Sequence, residues 1–205
     1  MTTSPESEIV PMPGFDPLVF WLQHKSKIII YAILLVVAAV GFAAYEIMSQ
    51  QRLAESQRLY AQAATEDDYR NIVQKFPHTI AAGNATLMLA EKLRDSKKYD
   101  EAVVLLQTMI DQYPDYPLID TAWLALAATF QAAGKTDEAL VKYQLTATKF
   151  PTTSSAPHAL VAEAGILKDQ GKLDDARHAY ENVKSQFPNS YYAALAMQEL
   201  QQLKK

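Results

Sequence analysis

Two pairs of adjacent carboxylates, Asp137-Glu138 and Asp174-Asp175, are the residues in this chain that most suggest reaction chemistry. Paired acids can share general-acid and general-base work, or hold a divalent cation. Their spacing says otherwise. The two aspartates stand 37 residues apart, and Asp100 stands the same interval before Asp137. Recurrence at equivalent positions is what a helix start requires, because a carboxylate there meets free N–H groups and the positive end of the dipole. The four histidines, His24, His78, His158 and His178, are scattered and read as surface or packing residues. There is no cysteine, which removes disulfides, thiolate metal sites and catalytic thiols together. No glycine-rich phosphate loop and no Ser/His/Asp grouping can be read. The expectation is therefore no catalytic, metal or cofactor site, no small-molecule substrate, and a protein that is not an enzyme. From Ser49 onward, 17 Lys/Arg face 19 Asp/Glu without a basic stripe, so no nucleic-acid partner is expected either.

The elements that carry these residues repeat. Phe76-Pro77, Tyr113-Pro114, Phe150-Pro151 and Phe187-Pro188 follow one another at intervals of 37 residues. A fixed period of that length means stacked supersecondary units. Ala85, Ala122, Ala159 and Ala196 share one phase; Ala90, Ala127 and Ala164 share another; Ala102, Ala139 and Ala176 follow the aspartates. Small residues let two helices approach closely, while Leu93, Phe130 and Leu167 fill the gaps. Gly134 and Gly171, aligned with Lys97, suit the left-handed position that ends a first helix. Proline after the aromatic stops the second. The pattern predicts first helices over 80–96, 117–133, 154–170 and 191–203, and second helices over 99–113, 136–150 and 173–187. Thr65-Glu66-Asp67-Asp68 reads as a capped helix start leading to a lone second-helix equivalent. Trp123, Tyr143 and Tyr180 occupy packing phases and are expected in the core, whereas Asn189-Ser190-Tyr191-Tyr192 is expected nearer the surface.

These residues resemble the tetratricopeptide repeat. Ala102, Ala139 and Ala176 match that family's small second-helix residue. Pro114, Pro151 and Pro188 match its proline; Leu106, Tyr143 and Tyr180 match its large residue. Thr86, Trp123 and Leu160 fall at its tryptophan-type position. The resemblance covers residues 80–203 and implies an all-α solenoid of helix hairpins, with ligands in a groove lined by first helices. By that analogy the groove would include Asn84, Leu87, Glu91, Arg94, Thr121, Leu124, Gln131, His158, Val161 and Lys168. The basic carboxylate clamp of the tail-binding relatives is missing; Leu87, Glu91, Ala125, His158 and Ala162 stand in its places.

Ahead of the repeats, Ile28–Met48 holds a single charge, Glu46. As a helix this 21-residue stretch would span roughly 32 Å, enough to cross a bilayer. A buried core helix and a cleavable signal peptide are the rival readings. The 17 uncharged residues from Ile28 to Ala44 argue against the first, and the long leader against the second, so a retained signal anchor is favoured. Lys25 and Lys27 abut the apolar run, which favours a cytoplasmic N-terminus, although each flank carries two Lys/Arg within about 20 residues. The expected layout is a tail over 1–27 (disordered, then interfacial), a transmembrane helix over 28–48, a helical stalk over 49–64, and repeats with capping helices over 65–205.

This layout resembles the YfgM-like family of ancillary SecYEG translocon subunits. The resemblance implies a single-pass protein of the bacterial inner membrane with its repeats in the periplasm. It implies partners among translocon subunits, periplasmic chaperones and secreted clients. The function it points to is a tethered adaptor that assists secretion or envelope-protein biogenesis. The alternative is a scaffold subunit of an envelope machine serving division, wall synthesis or pilus assembly.

Overall fold

The computed structural model describes residues 17–203. The tail expected to be disordered, residues 1–14, lies outside the described residues, as do Phe15, Asp16, Lys204 and Lys205. Among the described residues the chain is all-helical, with nine helices and no strand. They are α1 (Pro17–Gln62), α2 (Glu66–Lys75), α3 (Ile80–Asp95), α4 (Tyr99–Gln112), α5 (Ile119–Ala132), α6 (Thr136–Lys149), α7 (Ser155–Asp169), α8 (Leu173–Gln186) and α9 (Tyr191–Gln202). By contacts the chain divides into two compact units, one ending at Gln51 and the other beginning at Arg52.

In the first unit the apolar stretch is helical and exposed: Ile33, Leu34, Leu35, Val37, Val40 and Phe42 all present their side chains outward. The helix is long and apolar enough to cross a membrane, and none of its most apolar window is buried in protein. It is a candidate span.

The second unit is built from hairpins whose ends follow from a few residues. Thr65 caps α2: its Oγ1 accepts from the Asp68 amide at 3.2 Å, and the Asp68 carboxylate accepts from the Thr65 amide at 2.9 Å. Thr79 and Ser190 cap α3 and α9 through their hydroxyls. The second helices end at Phe76, Tyr113, Phe150 and Phe187, each the last residue to donate into its helix before a proline. At the tight turn inside each hairpin the chain goes left-handed, at Lys97 (φ 61°), Gly134 (φ 75°) and Gly171 (φ 75°). The Gly134 amide donates to Gln131 and the Lys135 amide to Phe130, so the orphan carbonyls of α5 are satisfied by backbone.

Two expectations need correcting here. Asp100, Asp137 and Asp174 sit in the first turn of α4, α6 and α8, but the N-caps are Lys98, Lys135 and Lys172, with no side-chain capping bond. The backbone turn already ties those ends, which leaves the aspartates to act through the dipole. Helix α5 starts at Ile119 rather than 117, because Tyr116-Pro117-Leu118 is used in a turn whose Ile119 amide donates to the Tyr116 carbonyl. The other boundaries of the repeat helices agree within a residue, whereas the expected transmembrane helix over 28–48 and stalk over 49–64 are parts of one helix, Pro17–Gln62.

The alanines lie where the helices meet. Ala85, Ala122, Ala159 and Ala196 are completely buried, as are Ala102, Ala139 and Ala176. Larger residues fill the four successive clusters: Ile72 with Leu89 and Leu93, then Leu106 with Leu126, then Tyr143 with Ile166, then Tyr180 with Val183. Trp123 departs from expectation and is only half-buried, its ring covered by the ammonium groups of Lys142 and Lys149. Nor does α2 stand alone. Ser56 is fully buried, and Leu59, Tyr60 and Ala63 pack against Tyr69, Ile72 and Phe76. Positions 56, 59, 60 and 63 share one helical face, and through it the last turns of α1 lay side chains on the first core cluster.

Two stability effects arise from these ends. Lys97 holds a conformation that costs an L-residue about 1–2 kcal/mol, which Gly134 and Gly171 avoid. Lys97→Gly should therefore stabilise the domain by about 1 kcal/mol, and Gly134→Ala should destabilise it by a similar amount, read by urea unfolding. The second effect concerns acid. Bonds from Arg70 lower the Glu66 pKa, and bonds from Thr65 lower that of Asp68. Depressed carboxyl pKa values contribute stability above the unfolded value, and that contribution is lost as pH falls through the folded value. The melting temperature should fall on acidification below about pH 4, and less steeply in Asp68→Asn.

Candidate functional site

The first helices form a row. Backbones of α3 and α5, α5 and α7, and α7 and α9 come into contact, whereas among the described residues none of α2, α4, α6 and α8 approaches another in this way. We call the first helices the inner row and the second helices the outer row; the ten residues expected to line a groove all lie on the inner row.

Their placement is uneven. Asn84, Leu87, Thr121, Leu124, Val161 and Lys168 are half-buried, as is Arg94, while Glu91, Gln131 and His158 are exposed. Leu87, Leu124 and Val161 double as packing residues against the second, third and fourth clusters. Three of the polar members are already engaged. Asn84 accepts from the Tyr116 hydroxyl at 2.7 Å, Gln131 accepts from the Tyr143 hydroxyl at 2.7 Å, and Lys168 pairs with Glu199 at 2.6 Å.

A repeating device emerges at the C-terminal ends of the first helices. Arg94, Gln131 and Lys168 are equivalent positions one period apart, and Tyr143 and Tyr180 are equivalent positions on the second helices. The Tyr143 phenol is buried; desolvation pushes its pKa up to about 12, with the Arg94 charge pulling weakly the other way. Burial likewise raises Tyr180, opposed by Lys168. Lys168 is raised by its bond to Glu199. Both phenols are thus neutral, Tyr143 donating to Gln131, and they have none of the acidity a proton-transfer group would need.

At the other end of the row, His158 stacks on Tyr192 with ring centroids 4.8 Å apart, and desolvation lowers its pKa. Between α6 and α7, Glu163 accepts from Gln144 at 2.7 Å; desolvation raises its pKa more than that bond lowers it. Neither Glu163 nor Tyr192 was singled out for the groove. Glu163 lies two residues after Val161 and carries no periodic signal, since Leu89 and Leu126 are its equivalents. The acidic pairs Asp137-Glu138 and Asp174-Asp175 lie in first turns of α6 and α8, on the outer row. No cluster of three metal-ligating side chains occurs among the described residues.

What this face can do is bind. It offers half-buried aliphatic side chains flanked by fixed amides, a cation and an imidazole, the mixture that receives polypeptide. No curated protein matches the sequence. A family profile for a tetratricopeptide repeat-like domain matches residues 19–205, the whole of the described second unit and most of α1. The repeat grammar, the hairpins and that match agree, and the chain belongs to the tetratricopeptide repeat-like domain family.

Proposed function

We propose that this protein is a membrane-tethered adaptor. Its repeat domain lies on the periplasmic side of the bacterial inner membrane, near the translocon, and binds other proteins to assist secretion or envelope-protein biogenesis. One observation carries the reading: a helix long enough to span a bilayer, with none of its most apolar window buried, shares a chain with a repeat domain of a protein-interaction family. Tethering concentrates such a domain at the surface where its clients emerge, which raises occupancy without any new contact. Translocon subunits, periplasmic chaperones and secreted chains are the partners this reading names, with the inner row from Asn84 to Lys168 as the contact face. Orientation rests on Lys25 and Lys27 beside the apolar stretch.

Protease treatment of spheroplasts, followed by co-purification in mild detergent, tests it. The repeat domain should be digested from outside while a tag at the N-terminus stays protected, and translocon subunits or secreted chains should co-purify. A protected repeat domain would reverse the topology. A single stoichiometric envelope protein would replace the adaptor with a scaffold subunit.

A further inference from the structure

At the tryptophan-type position the successive repeats carry Thr86, Trp123 and Leu160, one period apart. Trp123 fills the space between its neighbouring second helices: it packs on the cluster of Leu106, Met109 and Ile110, with the Lys149 ammonium 4.4 Å from the ring centroid. Leu160 also packs inward, on the cluster of Tyr180 and Val183 from the second helix that follows it. Thr86 cannot fill the corresponding space. Its hydroxyl turns back to donate to the Ala82 carbonyl at 2.9 Å, and beside it lies an open, mostly apolar pocket of about 380 Å³. The pocket lining reproduces the surroundings of Trp123 one period earlier: Val73 stands where Ile110 does, Met109 where Thr146 does, and Gln112 where Lys149 does.

Local chemistry shapes this vacancy for a ring. Tyr116 lies against Gly83, where a Cβ would come within 2.2 Å of its ring, and its hydroxyl donates to the Ile80 carbonyl and to Asn84. Tyr113 forms a second aromatic wall, braced edge-on by His78 at 5.1 Å. At the mouth, Asp115 has no ion pair among the described residues.

We propose that this slot receives an aromatic side chain of indole size, flanked by a basic residue and carried by a partner polypeptide. The occupant is identified by the molecule itself, which places an indole in the equivalent space one repeat later. Aromatic walls favour edge and offset contacts with such a ring, and the unpaired Asp115 favours a neighbouring cation. The slot opens beside the loops that follow α2 and α4, so it stands whether or not the rest of the inner row is used.

The test uses the full chain in lipid nanodiscs and a dipeptide probe, N-acetyl-5-fluorotryptophyl-lysinamide, followed by fluorine NMR. Saturable binding is expected, weakened at least about tenfold by Thr86→Trp, which plugs the slot from within, and unchanged by Val104→Ala on the exposed face of α4. Thr86→Leu, the side chain native at position 160, should weaken it in the same direction. It carries the test should the tryptophan variant melt early. Undiminished binding in either folded variant would overturn the proposal, as would no saturable binding at all. Equal competition by N-acetyl-leucyl-lysinamide would reduce the slot to an unselective apolar crevice. Tighter binding of free 5-fluoroindole than of the dipeptide would make the occupant a small molecule rather than a polypeptide.

Discussion

Arginine in place of Ala139 should cost the repeat domain on the order of 4 kcal/mol, most of what holds a domain of this size folded. Ala139 has no exposed surface and sits where α6 meets α5 and α7, in contact with the cluster of Ala127, Tyr143, Ala159 and Ile166. A guanidinium there would separate the helices or be buried without a partner, and either outcome removes the packing of the central hairpin. Urea unfolding of the full chain in detergent, followed by far-UV circular dichroism, measures the loss. The neighbouring exposed residue supplies the control: Glu138→Arg should cost less than about 1 kcal/mol, since it only reverses a charge at a helix start. An unchanged midpoint for Ala139→Arg would mean that the helix register is wrong.

Tyr143→Ala should cost about 3–5 kcal/mol, whereas Tyr143→Phe should cost about 1 kcal/mol. The ring is 3 % exposed and fills the third cluster, so its removal leaves a cavity between α5, α6 and α7. Phenylalanine keeps the ring and loses only the 2.7 Å bond to Gln131, an exposed acceptor that water can satisfy. The same pair of variants separates structure from function. If the tyrosine serves only to pack and to hold Gln131, the phenylalanine variant retains partner binding in proportion to its folded fraction. A larger loss of binding would give the hydroxyl, or the Gln131 orientation it sets, a direct part in recognition.

The hairpins were legible because their signals are local and recur: an aromatic-proline stop, a glycine turn, and alanines in fixed phase. Helix ends therefore came out within a residue, except at α5, where Pro117 and Leu118 are spent in a turn. What the period cannot show is substitution within it. Leu53, Leu59 and Tyr60 read as a helical stalk, yet Leu59 and Tyr60 pack on the first core cluster and Ser56 beside them is fully buried. Thr86 reads as one occupant of the tryptophan-type position, and only the emptiness beside it, against the indole at position 123, reveals a slot. Cross-repeat bonds are equally silent in the sequence. Ser155 donates to the buried Asp120 at 2.8 Å, and Tyr116 reaches back to Asn84, thirty-two residues earlier. Of the expected groove residues, the sequence shows their period but not that Asn84, Gln131 and Lys168 already hold partners within the fold.

Photocrosslinkers placed singly at Arg94, Gln131 and Lys168, the three equivalent positions of the inner row, address the adaptor reading most directly. With crosslinking in living cells followed by isolation of membranes, the expected products are translocon subunits, periplasmic chaperones or secreted chains. They should be absent when the probe stands at Val104 on the outer row. Products that are exclusively cytoplasmic, or equal yields from Val104 and the inner row, would contradict it.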